Sequence, residues 1–92
     1  MRADVTLPGD ITLEAHTIDV SLSGLSCRVP YSLEQGQPCT VELDLKKFGS
    51  GRVELQMVVR NCRPNPEGKF QAGLEFVNAP ENIMEVLRSF LG

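Results

Sequence analysis

The stretch Thr17-Ile18-Asp19-Val20-Ser21-Leu22-Ser23-Gly24-Leu25 gathers a carboxylate, two hydroxyls and a glycine between two apolar-rich runs. A carboxylate at such a place can accept paired N–H donors, and a serine hydroxyl can add a further contact. A glycine lets the backbone approach a ligand or another strand where a Cβ would block it. The same residue types also build Asx- and ST-type turns through their own backbone. For Asp19 and Ser21 both uses stand open, whereas Gly24 reads first as structural. Four arginines complete the set: Arg28, Arg60 and Arg63 on or just after alternating runs, and Arg2 at the start. A guanidinium is a flat fork of donors suited to phosphates and guanine edges, although each of these arginines also reads as an ordinary solvated strand residue.

Little else in the chain points to chemistry. His16 is the only histidine and falls on the polar side of its run. No pair of carboxylates stands out, and neither GxGxxG nor GxxxxGK[ST] occurs, so the chain reads as no enzyme. Cys27, Cys39 and Cys62 are an odd number without a CxxC pair. They read as reduced thiols of a cytoplasmic domain, with neither a disulfide frame nor a metal site. The 92 residues carry 12 acidic and 9 basic side chains, a net charge of −3. That balance argues against polymeric nucleic acid, which is held by many Lys and Arg contacts to phosphate, but not against a small anion gripped by two or three arginines. No apolar run approaches the ~20 residues of a membrane span, and "MRADVTLPGD" contains no signal-peptide core.

The elements that must position these residues are mostly strands. Ile11, Leu13 and Ala15 alternate with Thr12, Glu14 and His16. "LSCRV" alternates likewise; Val41, Leu43 and Leu45 share a face, as do Val53, Leu55, Met57 and Val59, and Phe70, Ala72, Leu74 and Phe76. Such period-two runs mark half-buried strands. "YSLEQGQP", "KKFGSG" and "PNPEG" are the turns between them. The period then changes: Ile83, Val86, Leu87, Phe90 and Leu91 recur at helical spacing, with Asn78 as expected N-cap, Glu81 completing a capping box and Pro80 in the first turn. About six short strands and a C-terminal amphipathic helix make a single domain over residues 1–92, an antiparallel barrel or sandwich with the helix at one end or on one side.

At Asp19-Val20-Ser21-Leu22-Ser23-Gly24 the chain resembles the PilZ domain, a bacterial receptor module for cyclic di-GMP, whose motif is [D/N]xSxxG. The resemblance continues with Leu25 after the glycine, with "VVR" at Val58–Arg60, and with Gly73-Leu74-Glu75-Phe76 before a closing helix. It implies a mainly β fold, a six-stranded antiparallel split barrel with a C-terminal α-helix, and a non-catalytic, cofactor-free domain that binds cyclic di-GMP. It implies that Asp19 and Ser21 read a guanine edge, and that Gly24 belongs to the same motif. It makes Arg60 the arginine to look at first, because it ends the "VVR" run. A neighbouring domain or partner protein would receive the signal, in exopolysaccharide synthesis, motility or pili.

The family's second motif, RxxxR on a flexible N-terminal segment, does not occur within the 92 residues. "MRADVTLPGDITL" is similar to the RxxxRxxxxxPxxI region of the PilZ domain of bacterial cellulose synthases, and that spacing sets Arg2 at the second arginine. Ligand binding would then order this segment. Either the first arginine precedes residue 1 in a longer parent protein, or the domain is a divergent one that binds a protein instead. Loss of one arginine weakens binding by roughly ten- to several-hundred-fold, since a charge-assisted hydrogen bond contributes about 1.5–3 kcal/mol and a bidentate arginine more.

Overall fold

The computed structural model describes residues 2–46 and 51–91, with side chains as far as Ser89. Six strands and one helix follow in order: β1 (Arg2–Leu7), β2 (Ile11–Val20), β3 (Gly24–Val29), β4 (Pro38–Asp44), β5 (Arg52–Pro64), β6 (Phe70–Phe76) and α1 (Glu81–Leu91). All neighbours are antiparallel, in the order β1-β2-β3-β6-β5-β4, and β4 returns to β1 to close a barrel. Closure removes the sheet edges on which another chain could template. No helix among the described residues is long and apolar enough to cross a membrane.

The period-two runs become the barrel wall, and their apolar sides become its filling. Leu13, Ala15, Leu25, Cys27, Val41, Leu43, Leu55, Met57, Val59, Ala72 and Leu74 are all buried. The connection from β3 to β4 adds Leu33 to this core. Its end is tied to β5, where Gly36 N–H donates to the Val59 carbonyl at 2.7 Å and Val59 N–H to the Gln37 carbonyl at 2.9 Å. The "KKFGSG" turn joins β4 to β5, and Leu45 N–H reaches the Gly51 carbonyl at 3.1 Å. The rest of that turn, residues 47–50, lies outside the described residues.

Two expectations are corrected. The segment Arg2–Leu7, expected to be flexible, is a strand paired on both sides: Val5 faces Leu13 on β2 and Val41 on β4. Ala3 and Val5 are fully buried. Ala3, Val5 and Leu7 alternate with Arg2, Asp4 and Thr6, the period of a half-buried strand, and Leu7 packs partly against the core. The second correction concerns the helix. Asn78 is not its cap; it sits at φ 51°, a left-handed conformation that asparagine tolerates. The Pro80 carbonyl accepts the Ile83 and Met84 N–H groups at 3.1 and 3.0 Å, so the helix starts from Pro80. Glu81 is then the first helical residue. Instead of closing a capping box, it accepts from Arg88 at 2.6 Å, two turns on. Ile83 and Leu87 enter the core, with Met84 and Val86 packed partly against it.

Candidate functional site

Strict alternation along β2 puts Leu13, Ala15 and Thr17 inward, and it would put Asp19 inward as well. A β-bulge prevents this. Thr17 pairs with Cys27 and Asp19 with Ser26, leaving Ile18 as the extra residue. The bulge turns Asp19 to the outer face with Ser26. A second bulge does the same on β5: Val59 pairs with Leu74 and Asn61 with Gly73, leaving Arg60 extra and outward. Because Ser26 also pairs with Gly73, the two bulges lie in one row across the barrel wall. That row reads Asp19, Ser26, Gly73, Asn61, with Arg60 beside its end. Its middle positions carry almost no side chain, so the row is a bare floor between an acid and a base.

The turn between β2 and β3 holds Asp19 in place without using it. The Ser21 Oγ accepts the Ser23 N–H at 3.3 Å, lies 3.0 Å from the Ser23 Oγ and donates to the Gly24 carbonyl at 3.2 Å. Ser21 N–H donates to the same carbonyl at 2.8 Å. This is an ST-type turn, and the Ser21 hydroxyl is committed to it. Among the described residues Asp19 has no such partner, so its carboxylate is exposed and available. Gly24 is buried where β3 presses on β6: a Cβ there would meet the Leu74 carbonyl oxygen at 1.9 Å. Gly73 is less tightly placed: its Cβ would sit 3.0 Å from the Asn61 side chain, which would have to give by a few tenths of an ångström.

Asp19, Ser21, Gly24, Ser26, Arg60 and Glu75 line one shallow hollow of about 130 Å³. The Arg60 guanidinium lies 2.6 Å from Glu75, with both side chains well exposed. The hollow therefore carries a free acid and a base held by an acid. Sequence reasoning singled out Arg60 but missed Ser26 and Glu75. Their signal was the register across three strands, which no single segment carries.

Arg2 is not brought into this hollow. It lies at the head of β1 opposite His16, pairs with Glu14 at 3.4 Å and lines a separate depression with Asp4, Glu42, Asp44 and Arg52. Arg28 reaches Glu67 at 3.9 Å, and Arg63 lines a third hollow beyond Asn61. The three cysteines are free thiols. Among the described residues no group of three or more His, Cys, Asp or Glu could hold a metal ion.

Comparison with known proteins agrees with this architecture. The sequence profile of the PilZ domain matches residues 1–92. A solved structure described as the PilZ domain with c-di-GMP of YcgR from Escherichia coli superposes with a TM-score of 0.75 at 14% identity, covering 95% of this chain and 75% of that one. No curated protein sequence matches the chain.

Proposed function

The chain belongs to the PilZ domain family, and on that premise we propose that it is a non-catalytic receptor for cyclic di-GMP, bound on the outer face of the barrel around Asp19. One observation carries the reading: the two bulges set an unpartnered carboxylate and an arginine at opposite ends of a floor made of Ser26 and Gly73. A flat base can lie on such a floor. The Asp19 carboxylate then accepts the N1–H and N2–H of guanine as a bidentate pair. Arg60 exchanges Glu75 for a phosphate or for the O6 and N7 edge. Ser21 serves through the turn that aims Asp19, and Gly24 through the close approach of β3 to β6. Arg2 is an outlying contact. It starts about 10 Å from Asp19, one strand and three residues away, and must leave Glu14 to reach a phosphate. A hollow of about 130 Å³ is smaller than the ~300 Å³ at which small-molecule pockets usually begin, so the ligand lies across the surface, not within it.

Bound ligand changes the charge and shape of this face, and a neighbouring domain or partner protein in the cytoplasm reads the change. A second reading is a protein-binding adaptor, the case in which the parent protein supplies no arginine four positions before Arg2. Calorimetric titration separates the two. Cyclic di-GMP is expected to bind near the micromolar range, with Asp19→Ala lowering affinity at least tenfold. Cyclic di-AMP is expected to give no heat, because adenine offers an acceptor where the carboxylate needs a donor. Absence of heat with cyclic di-GMP up to millimolar concentration would overturn the receptor reading for residues 1–92, and the same titration with the parent's preceding residues restored would separate an adaptor from a receptor whose first arginine lies before residue 1.

A further inference from the structure

The hollow beside Asp19 is too small for a dinucleotide, and the adjoining surface supplies the remaining space. A second hollow of about 410 Å³ opens beside it, lined by Asn61, Arg63, Pro64, Asn65, Pro66 and Gln71. The Asn61–Gly73 pair divides the two, Gly73 facing the first and Asn61 the second. Resting on the reading above, we infer that Arg63 anchors a second subsite, which takes a phosphodiester of the nucleotide whose guanine sits against Asp19.

Charge is the first argument. Arg2, Arg28, Arg52, Arg60 and Arg88 each have a carboxylate partner, whereas Arg63 has none among the described residues. Its hollow contains no carboxylate either; the polar groups beside the guanidinium are amides. The depression around Arg2, by contrast, is lined by Asp4, Glu42 and Asp44, which would repel an anion. An unpaired guanidinium among neutral donors is what a phosphate requires.

Placement is the second. Arg63 pairs with Gln71 on β6, and Gln71 pairs with Arg28 on β3. The two arginines thus stand two strands apart, about 10 Å, on the same outer face and two residues along from the Asp19 row. The hairpin that walls the hollow is tied by its own hydrogen bonds. Asn65 Oδ1 accepts the Glu67 and Lys69 N–H groups at 3.1 and 2.9 Å, and Gly68 takes the left-handed φ of 80° that closes the turn. Arg63 therefore stands at the base of a hydrogen-bonded hairpin.

The test is calorimetry of cyclic di-GMP with the wild-type chain, Arg63→Ala, Arg63→Lys and Asp19→Ala, with Arg88→Ala on the helix as control. NMR of the arginine Nε–H groups accompanies it. Arg63→Ala is expected to weaken binding ten- to hundred-fold at an unchanged melting temperature, with Arg63→Lys recovering only part, since an ammonium lacks the planar fork. The Arg63 Nε–H signal should move on adding cyclic di-GMP and stay still with inorganic phosphate at the same concentration. Arg63→Ala binding within twofold of wild type, while Asp19→Ala loses binding, would overturn the subsite and leave the Asp19 reading standing. A shift with inorganic phosphate alone would make it a free-anion site and also overturn the inference. No binding by the wild-type chain would overturn both readings.

Discussion

Asp19 and Arg60 stand at the two ends of one floor with their charges in different states. Arg60 is held by Glu75, and an ion pair this exposed contributes at most about 1 kcal/mol, so a phosphate can replace the carboxylate readily. Asp19 has nothing to release. Inside the barrel the residue scale shows a different effect, the burial of thiols. Burial pushes the Cys27 thiol from the ordinary 9.0 up to about 12, with smaller repulsive contributions from Cys39 and Cys62, and pushes Cys39 up to about 11. The unfolded chain releases these protons near pH 9, while the folded chain keeps them. Between pH 9 and about 12 the native state therefore binds more protons, and stability falls as pH rises. The loss is at most about 1.4 kcal/mol per pH unit for each thiol. Below pH 9 the contribution is fully present. Urea midpoints from pH 8 to 11 should show that decline, and Cys27→Ala should lessen its slope relative to wild type. Parallel slopes would show that Cys27 titrates as freely folded as unfolded.

At the scale of the element, the bulges decide what faces outward. Ile18 is a spare residue: without it, Thr17 and Asp19 would be consecutive and still pair with Cys27 and Ser26. Deletion of Ile18 is thus expected to give a folded barrel that loses no more than about 2 kcal/mol, of the order of one ordinary destabilising substitution. Deletion of Glu14 is expected to be far worse. The strand can absorb it only by turning His16 inward and Ala15 outward, since a one-residue slip exchanges the two faces. Thermal melts of the two deletions compare them directly. Equal losses would mean that the bulge does not hold the register. In that deletion Asp19 still pairs with Ser26 and stays on the outer face, so on the receptor reading the folded variant should still bind cyclic di-GMP, which calorimetry checks.

At the scale of the molecule, β1 is the stave that closes the barrel. It supplies Ala3 and Val5 to the core and covers β2 and β4 at once. A chain lacking residues 1–7 would expose two strand edges and an open core in a domain that already buries a smaller share of its surface than a larger domain does. Such a chain is expected to show no cooperative melting transition and to aggregate on size-exclusion chromatography. A monomer melting within a few degrees of the full chain would contradict the closed topology. The same topology bears on signalling. Residues Arg2–Leu7 are already ordered by two neighbours, so a ligand that reorganises this domain must act elsewhere than on that strand.

The local signals in the sequence were strong where chemistry and periodicity coincide within a few residues. The alternating runs identified five of the six strands and, except for Ile11 at the exposed start of β2, their inward faces, because a side-chain period of two is a property of each strand alone. The change to helical spacing identified α1, and the [D/N]xSxxG stretch marked the turn that carries Asp19. Three things could be decided only by the tertiary structure. Ala3, Val5 and Leu7 of β1 alternate with Arg2, Asp4 and Thr6, but only the pairing makes this strand the one that closes the barrel between β2 and β4. Asp19 faced outward because an extra residue on β2 met a fixed register on β3, which reading β2 alone predicts in the opposite sense. And Arg60, Glu75, Ser26 and Arg63 became neighbours of the site through pairings across β3, β6 and β5, whose contacts span tens of residues and leave no mark in any one segment.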